Sequence, residues 1–293
     1  METKKSLILV LAIFFSIGLC FSQQKINIVV IGAHPDDCDV DAGGTAILWA
    51  KEGHNVLFVS VTNGDAGHHE MGGGALAKIR MAEAQEAGKR FGVKYLVLDN
   101  HDGELMPTLE NRLKIIRLIR QWNADVVISP RPNDYHPDHR NTAILVQDAA
   151  YMVIVPNVAP DTPPLKKNPV FLFTQDGFQK PYPFQPDIAV DISAVTDQKI
   201  YAMAAHESQF FEWLPWTNGT LSQVPALEKE RLEWLARWRN TEISPAVKSA
   251  LEKWYGSAKI EKIIAAEAFE ICEFGRRPSD AEIRSLFPML ETE

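Results

Sequence analysis

Two short segments hold the chain's main cluster of metal-ligating and proton-transferring side chains. His34-Pro35-Asp36-Asp37 follows the apolar run Ile26 to Ile31, and His136-Pro137-Asp138-His139 comes soon after the run Val126 to Ile128. Two imidazoles with one carboxylate form a borderline-soft donor set, suited to zinc or a similar divalent ion, that leaves a position open for water. Adjacent carboxylates cannot face one cation equally well, so one of Asp36 and Asp37 can ligate while its neighbour takes a proton from the attacking water. In the second segment one imidazole can reach the metal and the other can lie over the reacting carbonyl. Asp138 can hold an imidazole in one tautomer. The prolines stiffen both segments, and the chemistry this implies is metal-assisted hydrolysis.

The elements that must position these groups alternate along the chain. Strand-like runs at Ile26 to Ile31, Val56 to Val61, Tyr95 to Leu98 and Val126 to Ile128 are each followed by a helical pattern, at Gly43 to Glu52, Leu76 to Phe91, Leu109 to Trp122 and Asn141 to Met152. Short apolar strands separated by helices predict a mainly parallel sheet covered on both faces, a Rossmann-like three-layer α/β fold. In such sheets ligands bind beyond the carboxyl ends of the strands, where both His/Asp segments fall. A proline-rich connection from Val155 to Pro186 carries one short strand, Val170 to Phe173, and Asp187 to Ile192 reads as a last strand. Helices are expected at Lys199 to Phe211, Leu227 to Trp238 and Ser244 to Ala268, the last two within a Trp-rich helical C-terminal extension packed on the same domain.

Residues 1–22 have a separate logic. Lys4-Lys5, the apolar stretch Leu7 to Leu19 and the small residues before Gln23 read as a cleaved export signal, too short to span a bilayer comfortably. Cys20 raises lipid attachment as the alternative, but the bulky Leu19 precedes it. The division is therefore 1–22 signal, 23–212 catalytic domain and 213–293 extension, with a periplasmic or secreted mature protein. Without the leader only Cys38 and Cys272 remain, too few for a disulfide scaffold, and Cys38 reads as a small residue packed beneath the site. At 46% hydrophobic residues the chain can bury a large core, and a net charge of −8 argues against a nucleic-acid partner.

Taken together, these motifs resemble the LmbE-like, PIG-L-type de-N-acetylases. The resemblance rests on His34-Pro35-Asp36-Asp37 with Gly43-Gly44, Thr62-Asn63-Gly64-Asp65-Ala66-Gly67, Arg80 with Glu83, Asp102-Gly103, His136-Pro137-Asp138-His139 and His206-Glu207-Ser208-Gln209, in order from about Lys25 to Phe211. It implies that His34, Asp37 and His139 bind the metal, usually zinc, with ferrous iron or another divalent ion as options. It also implies that Asp36 is the general base, that His136, supported by Asp138, is an acid or oxyanion donor, and that Arg80 and Asp102 lie around the sugar.

By their residues alone, Arg80 can instead be a surface ion pair with Glu83, and Asp102-Gly103 a common turn pair. His68 and His69 sit on a glycine-rich loop that could form a lid, and His206 reads as structural or at the substrate's edge. The expected activity is removal of an N-acetyl or related N-acyl group from an amino sugar or sugar conjugate, with no nucleic-acid partner and no stable membrane span. Cleavage of a larger glycoconjugate amide, a non-catalytic sugar-binding module and a metallophosphoesterase are the rivals, the last wanting a second metal and more ligands than are visible.

Overall fold

Alternate residues of each central strand enter opposite cores, which is why the strands read as nearly continuous apolar runs. Ile28 and Val30 pack on one side of the sheet, and Val29 and Ile31 on the other. The computed structural model describes residues 25–239 and 242–290. In it β1 (Asn27–Gly32), β2 (Asn55–Thr62), β3 (Lys94–Asn100), β4 (Val126–Ser129) and β5 (Val170–Thr174) pair in parallel, in the spatial order β3-β2-β1-β4-β5. Val30 is in register with both Phe58 and Ile128. One face is covered by α1 (Asp37–Lys51), α2 (Gly73–Phe91) and α5 (Thr196–Met203), the other by α3 (Leu109–Trp122) and α4 (Pro137–Met152). Because the chain leaves β1 toward one edge and β4 toward the other, the crevice at their carboxyl ends is the switch point where ligands bind.

Two helices begin earlier than the sequence pattern predicts. α1 starts at Asp37 rather than near Gly43, and α4 at Pro137 rather than Asn141. In α4, Pro137 takes the first helical position, where its missing N–H would be unpaired anyway; in α1, Pro35 precedes the N-cap Asp36 and the helix opens on Asp37 itself.

The extension is not wholly helical. α6 (Leu214–Thr217), α7 (Glu228–Arg239), α8 (Pro245–Tyr255), α9 (Ser257–Ile260) and α10 (Asp280–Leu286) are present, but part of the range expected to continue as helix is a strand, β7 (Ala266–Ile271). It lies antiparallel between β5 and β6 (Ile188–Asp191), extending the sheet to seven strands. Alanine and glutamate favour helix locally, and tertiary pairing overrides them. Glu267 of β7 is buried and accepts from Gly44 N and Thr45 N at 2.8 Å each and from Thr45 Oγ1 at 2.6 Å, while Lys199 of α5 pairs with it at 2.7 Å. These bonds tie the extension to α1. The helix expected from Lys199 to Phe211 ends at Met203 and resumes as a π-helical turn over Ser208–Trp213. Trp254 is buried as expected of a core residue, whereas Trp216 is 49% exposed.

The expected leader, with Cys20, lies outside the described residues. Among the described residues no helix is long and apolar enough to cross a membrane.

Candidate metal centre

Both motifs occupy strand-to-helix turns at the switch point. Asp36 has φ 146°, a conformation that a residue with a Cβ adopts only under strain. Turning there lets Asp37 fold its carboxylate back over the strand end, where Oδ2 accepts from the N–H groups of Ala33 and His34 at 2.8 Å each. In the second turn His136 caps α4 without strain, its Nδ1 accepting from Asp138 N at 3.2 Å.

Three donor atoms converge between the turns. His34 Nδ1 lies 3.1 Å from His139 Nε2, and Asp37 Oδ2 lies 3.6 and 3.4 Å from these two nitrogens. Ligands placed tetrahedrally about 2.0–2.1 Å from zinc are about 3.3 Å apart. The outer ring nitrogens face carboxylates: His34 Nε2 is 3.0 Å from Asp102 and 3.4 Å from Asp138, though short of ideal hydrogen-bond alignment, and His139 Nδ1 is 3.1 Å from Asp134. A neutral imidazole with its proton on the outer nitrogen presents only a lone pair inward. Two lone pairs and a carboxylate oxygen thus point at one spot, an arrangement that a divalent cation reconciles, and the carboxylates behind the rings are the support usual for metal-bound histidine.

Without a cation, protons must take that role. Burial opposes charge on His34, but Asp102, Asp138 and Asp37 raise its pKa well above the ordinary value. Burial likewise opposes charge on His139, yet Asp37 and Asp134 bring it up to about 9. Burial would raise Asp37, but His139 and His34 outweigh it and hold the carboxyl below the usual range. The donor set fits a divalent ion.

Two wider groupings share His34, one with His136 and His139 and one with Asp102 and Asp138, their ligand atoms within 4.8 Å of one another. Neither is as well placed. His136 Nδ1 is committed to Asp138 N, and the Asp138 carboxylate accepts from Gly103 N at 2.6 Å and Leu105 N at 3.1 Å. This corrects one expectation. The Asp138 carboxylate faces His34 and two backbone amides rather than supporting His136, which is ordered instead by the Asp138 N–H.

Asp36 is 5% exposed. Burial pushes its carboxyl up to about 6 against the pull of Arg80, whose Nη2 lies 3.2 Å from Oδ1. Arg80 is buried, not on the surface; its guanidinium also donates to Pro35 O and Gln209 Oε1. Its alternative partner, Glu83, accepts from Ser208 N and Oγ instead, at 2.8 and 2.6 Å. The strained Asp36 N–H donates to Tyr95 Oη at 3.1 Å, Tyr95 donates to Asp39 at 2.9 Å, and Asp39 lies 2.9 Å from Nε2 of the fully buried His206. The segment His206 to Gln209 thus closes a ring of bonds around Asp36, and Gln209 also lines the cavity beside it. Asp102 sits at the centre's edge, its backbone N–H held by Asp65 at 3.0 Å. Cys38 lies beneath the site, with Sγ toward Val30 O and Val59 O.

Burial, with His34 and His139 nearby, lowers the pKa of His136, disfavouring its charged form. With Nδ1 accepting, its proton is on Nε2. A cavity of about 290 Å³ opens beside these groups, lined by His34, Asp36, Asp37, Tyr135 and His139 among others. Sequence reasoning missed Asp134, Tyr95 and Asp39 as site residues. Asp134, two residues before His136, and Asp39, two residues after Asp37, stood close enough to a motif to be noticed.

Fold and site together define a doubly wound α/β protein with a His/Asp metal-type centre at its switch point. Over residues 29–150 the chain matches the PIG-L family, described as GlcNAc-PI de-N-acetylase. It is 33% identical over 210 residues to the diacetylchitobiose deacetylase of Thermococcus kodakarensis, covering 69% of this chain and 77% of that protein. A probable N-acetyl-alpha-D-glucosaminyl L-malate deacetylase 2 of Bacillus cereus is 28% identical over 229 residues, covering 72% of this chain and 98% of the relative. The structure of N,N'-diacetylchitobiose deacetylase from Pyrococcus horikoshii superposes with a TM-score of 0.62 at 25% identity, covering 84% of each chain. The chain belongs to the PIG-L deacetylase family.

Proposed function

We propose that this protein removes an N-acetyl or related N-acyl group from an amino sugar or sugar conjugate, using zinc or another divalent ion held by His34, Asp37 and His139. The observation that carries this reading is the convergence of two imidazole lone pairs and one carboxylate oxygen beside the buried, unligated Asp36. The deacetylase relatives support the substrate class.

A divalent ion in that position supplies a lowered water pKa and a polarised acetyl carbonyl. Asp36 takes the proton of the attacking water as the oxygen–carbon bond forms, and Arg80 offsets the burial that would otherwise keep Asp36 protonated. Neutral His136 presents Nε2–H as the donor for the negative charge developing on the carbonyl oxygen. As the carbon–nitrogen bond breaks, the proton on Asp36, or the one on His136, goes to the departing amine, leaving acetate and the free amino sugar. With residues 1–22 read as an export leader, the reaction takes place in the periplasm or outside the cell.

The test combines metal analysis with product analysis. Dialysed protein should retain about one divalent ion per chain, and the loaded protein should release acetate from a panel of N-acetylated sugars and glycoconjugates. Metal-loaded protein that releases acetate from none of them would sink the reading.

A further inference from the structure

The cavity beside the centre is lined not only by metal-type ligands and Asp36 but also by Thr174, Gln175 and Asp176, where β5 gives way to the connection that leads to β6. From Gln175 to Asp187 that connection carries no helix or strand. Its backbone groups need partners other than a regular ladder.

One buried side chain supplies most of them. Arg131, 2% exposed, donates from Nε and Nη2 to the two Asp176 carboxylate oxygens at 2.6 and 2.7 Å, from Nη2 also to Phe178 O at 3.2 Å, and from Nη1 to Tyr182 O at 3.3 Å. The rings of Tyr182 and Phe184 lie against the guanidinium, their centroids 5.8 and 5.7 Å from Cζ. Asp176 Oδ1 accepts in addition from Phe178 N at 2.9 Å. At the far end of the connection, Glu270 of β7 accepts from Gln185 N at 2.9 Å and lies 3.8 Å from Arg131 Nη1.

Burying a guanidinium costs desolvation, and a well-packed apolar side chain of that volume is often as stable. What the arginine adds is direction. Its planar fork sets the orientation of the Asp176 carboxylate, while its remaining contacts give donors to two carbonyls of an irregular segment. Arg131 also stands at the start of the turn that carries Asp134, Tyr135 and His136. From this turn Asn133 donates to Lys180 O, and the Tyr135 ring lies 6.4 Å from Phe178 and 5.7 Å from each of His136 and His139. The connection therefore meets the centre through packed rings as well as across the cavity.

We infer that Arg131 is a positioning residue for substrate: by holding Asp176 and the carbonyls of Phe178 and Tyr182, it fixes the β5–β6 connection as the cavity wall against which the substrate rests beyond its reacting amide. Arg131 acts through that wall and not on the reacting atoms. The inference rests on the deacetylase reading, and it assigns a determinant of binding rather than of bond breaking.

Arg131→Lys keeps a charge beside Asp176 and loses the fork. Metal-loaded full-length protein is assayed for acetate release from N-acetylglucosamine and N,N'-diacetylchitobiose, with kinetics followed on whichever the wild type turns over faster. The variant should show KM raised about three- to tenfold, kcat within about twofold and metal content unchanged, the pattern left when uniform binding is lost. Under native conditions chymotrypsin should cut it after Phe178 about tenfold faster than wild type, because the wall opens more often. Asn133→Ala, at a half-buried position, should move both readouts the same way by about two- to threefold, and it decides the matter if Arg131→Lys does not fold. Unchanged cleavage, faster cleavage with KM unaltered, or a loss confined to kcat would overturn the inference. Wild-type protein that is metal-loaded and releases no acetate from either sugar defeats the deacetylase reading, and this inference with it. Normal wild-type turnover with unaltered variants rejects the role of Arg131 alone.

Discussion

The two strand-to-helix turns that meet at the switch point use similar residues in opposite ways. The β1–α1 turn is strained and dry: Asp36 sits at φ 146°, nearly buried, with Arg80 on its carboxylate and Tyr95 on its N–H. The β4–α4 turn is relaxed and open. Pro137 begins the helix, His136 is its cap, and the neighbouring Tyr135 is 73% exposed. On the proposed mechanism the difference follows from what each must do. A proton acceptor near neutral pH needs desolvation and fixed geometry, whereas a ligand and a hydrogen-bond donor must stay reachable by substrate.

The sharpest way to break this contrast is Asp36→Asn. If the dry turn holds the base, acetate release should fall about 10²- to 10⁴-fold, with metal content unchanged; near-normal turnover would remove the assignment. In the open turn, His136→Ala should lower kcat by about 10²- to 10³-fold with a smaller change in KM, as expected of a donor used mainly in the transition state. Asp134→Asn tests whether the carboxylate behind His139 supports a ligand. Metal affinity, measured by competition with a chelator, should drop about 10- to 100-fold, and an unchanged affinity would make Asp134 a mere cap for the loop. Smallest should be Tyr95→Phe, which costs about 1 kcal/mol of stability in thermal unfolding for a lost buried hydrogen bond. It should also lower kcat without altering metal content, because the strained Asp36 loses the hydroxyl that holds its backbone.

The parts legible in the sequence were those with local signatures. Apolar runs marked β1, β2, β4 and β5, and the motif spacing after β1 and β4 placed the histidines at strand ends, which is where they converge. Partners far apart in the chain left no such trace. The links from Tyr95 to Asp39 and from Asp39 to His206 span 56 and 167 residues, so a buried ring around Asp36 could not be read from either end. Arg80 and Glu83 are spaced like a surface ion pair, and only the fold shows that each turns to a different partner. β7 was obscured by composition, since Ala266-Glu267-Ala268 favours helix until β5 and β6 offer it a place between them.

That late strand sets an order of assembly. Among the described residues β6 pairs only with β7, which comes about 75 residues later in the chain, so β6 has nowhere in the sheet to pair until residues 266–271 have emerged. A chain stopped before residue 266 would leave the β5 edge bare and Gly44 and Thr45 without their carboxylate. Because those two residues lie in the helix that begins at Asp37, a nascent chain would acquire a firm seat for its acidic pair only once residues 266–271 have been made.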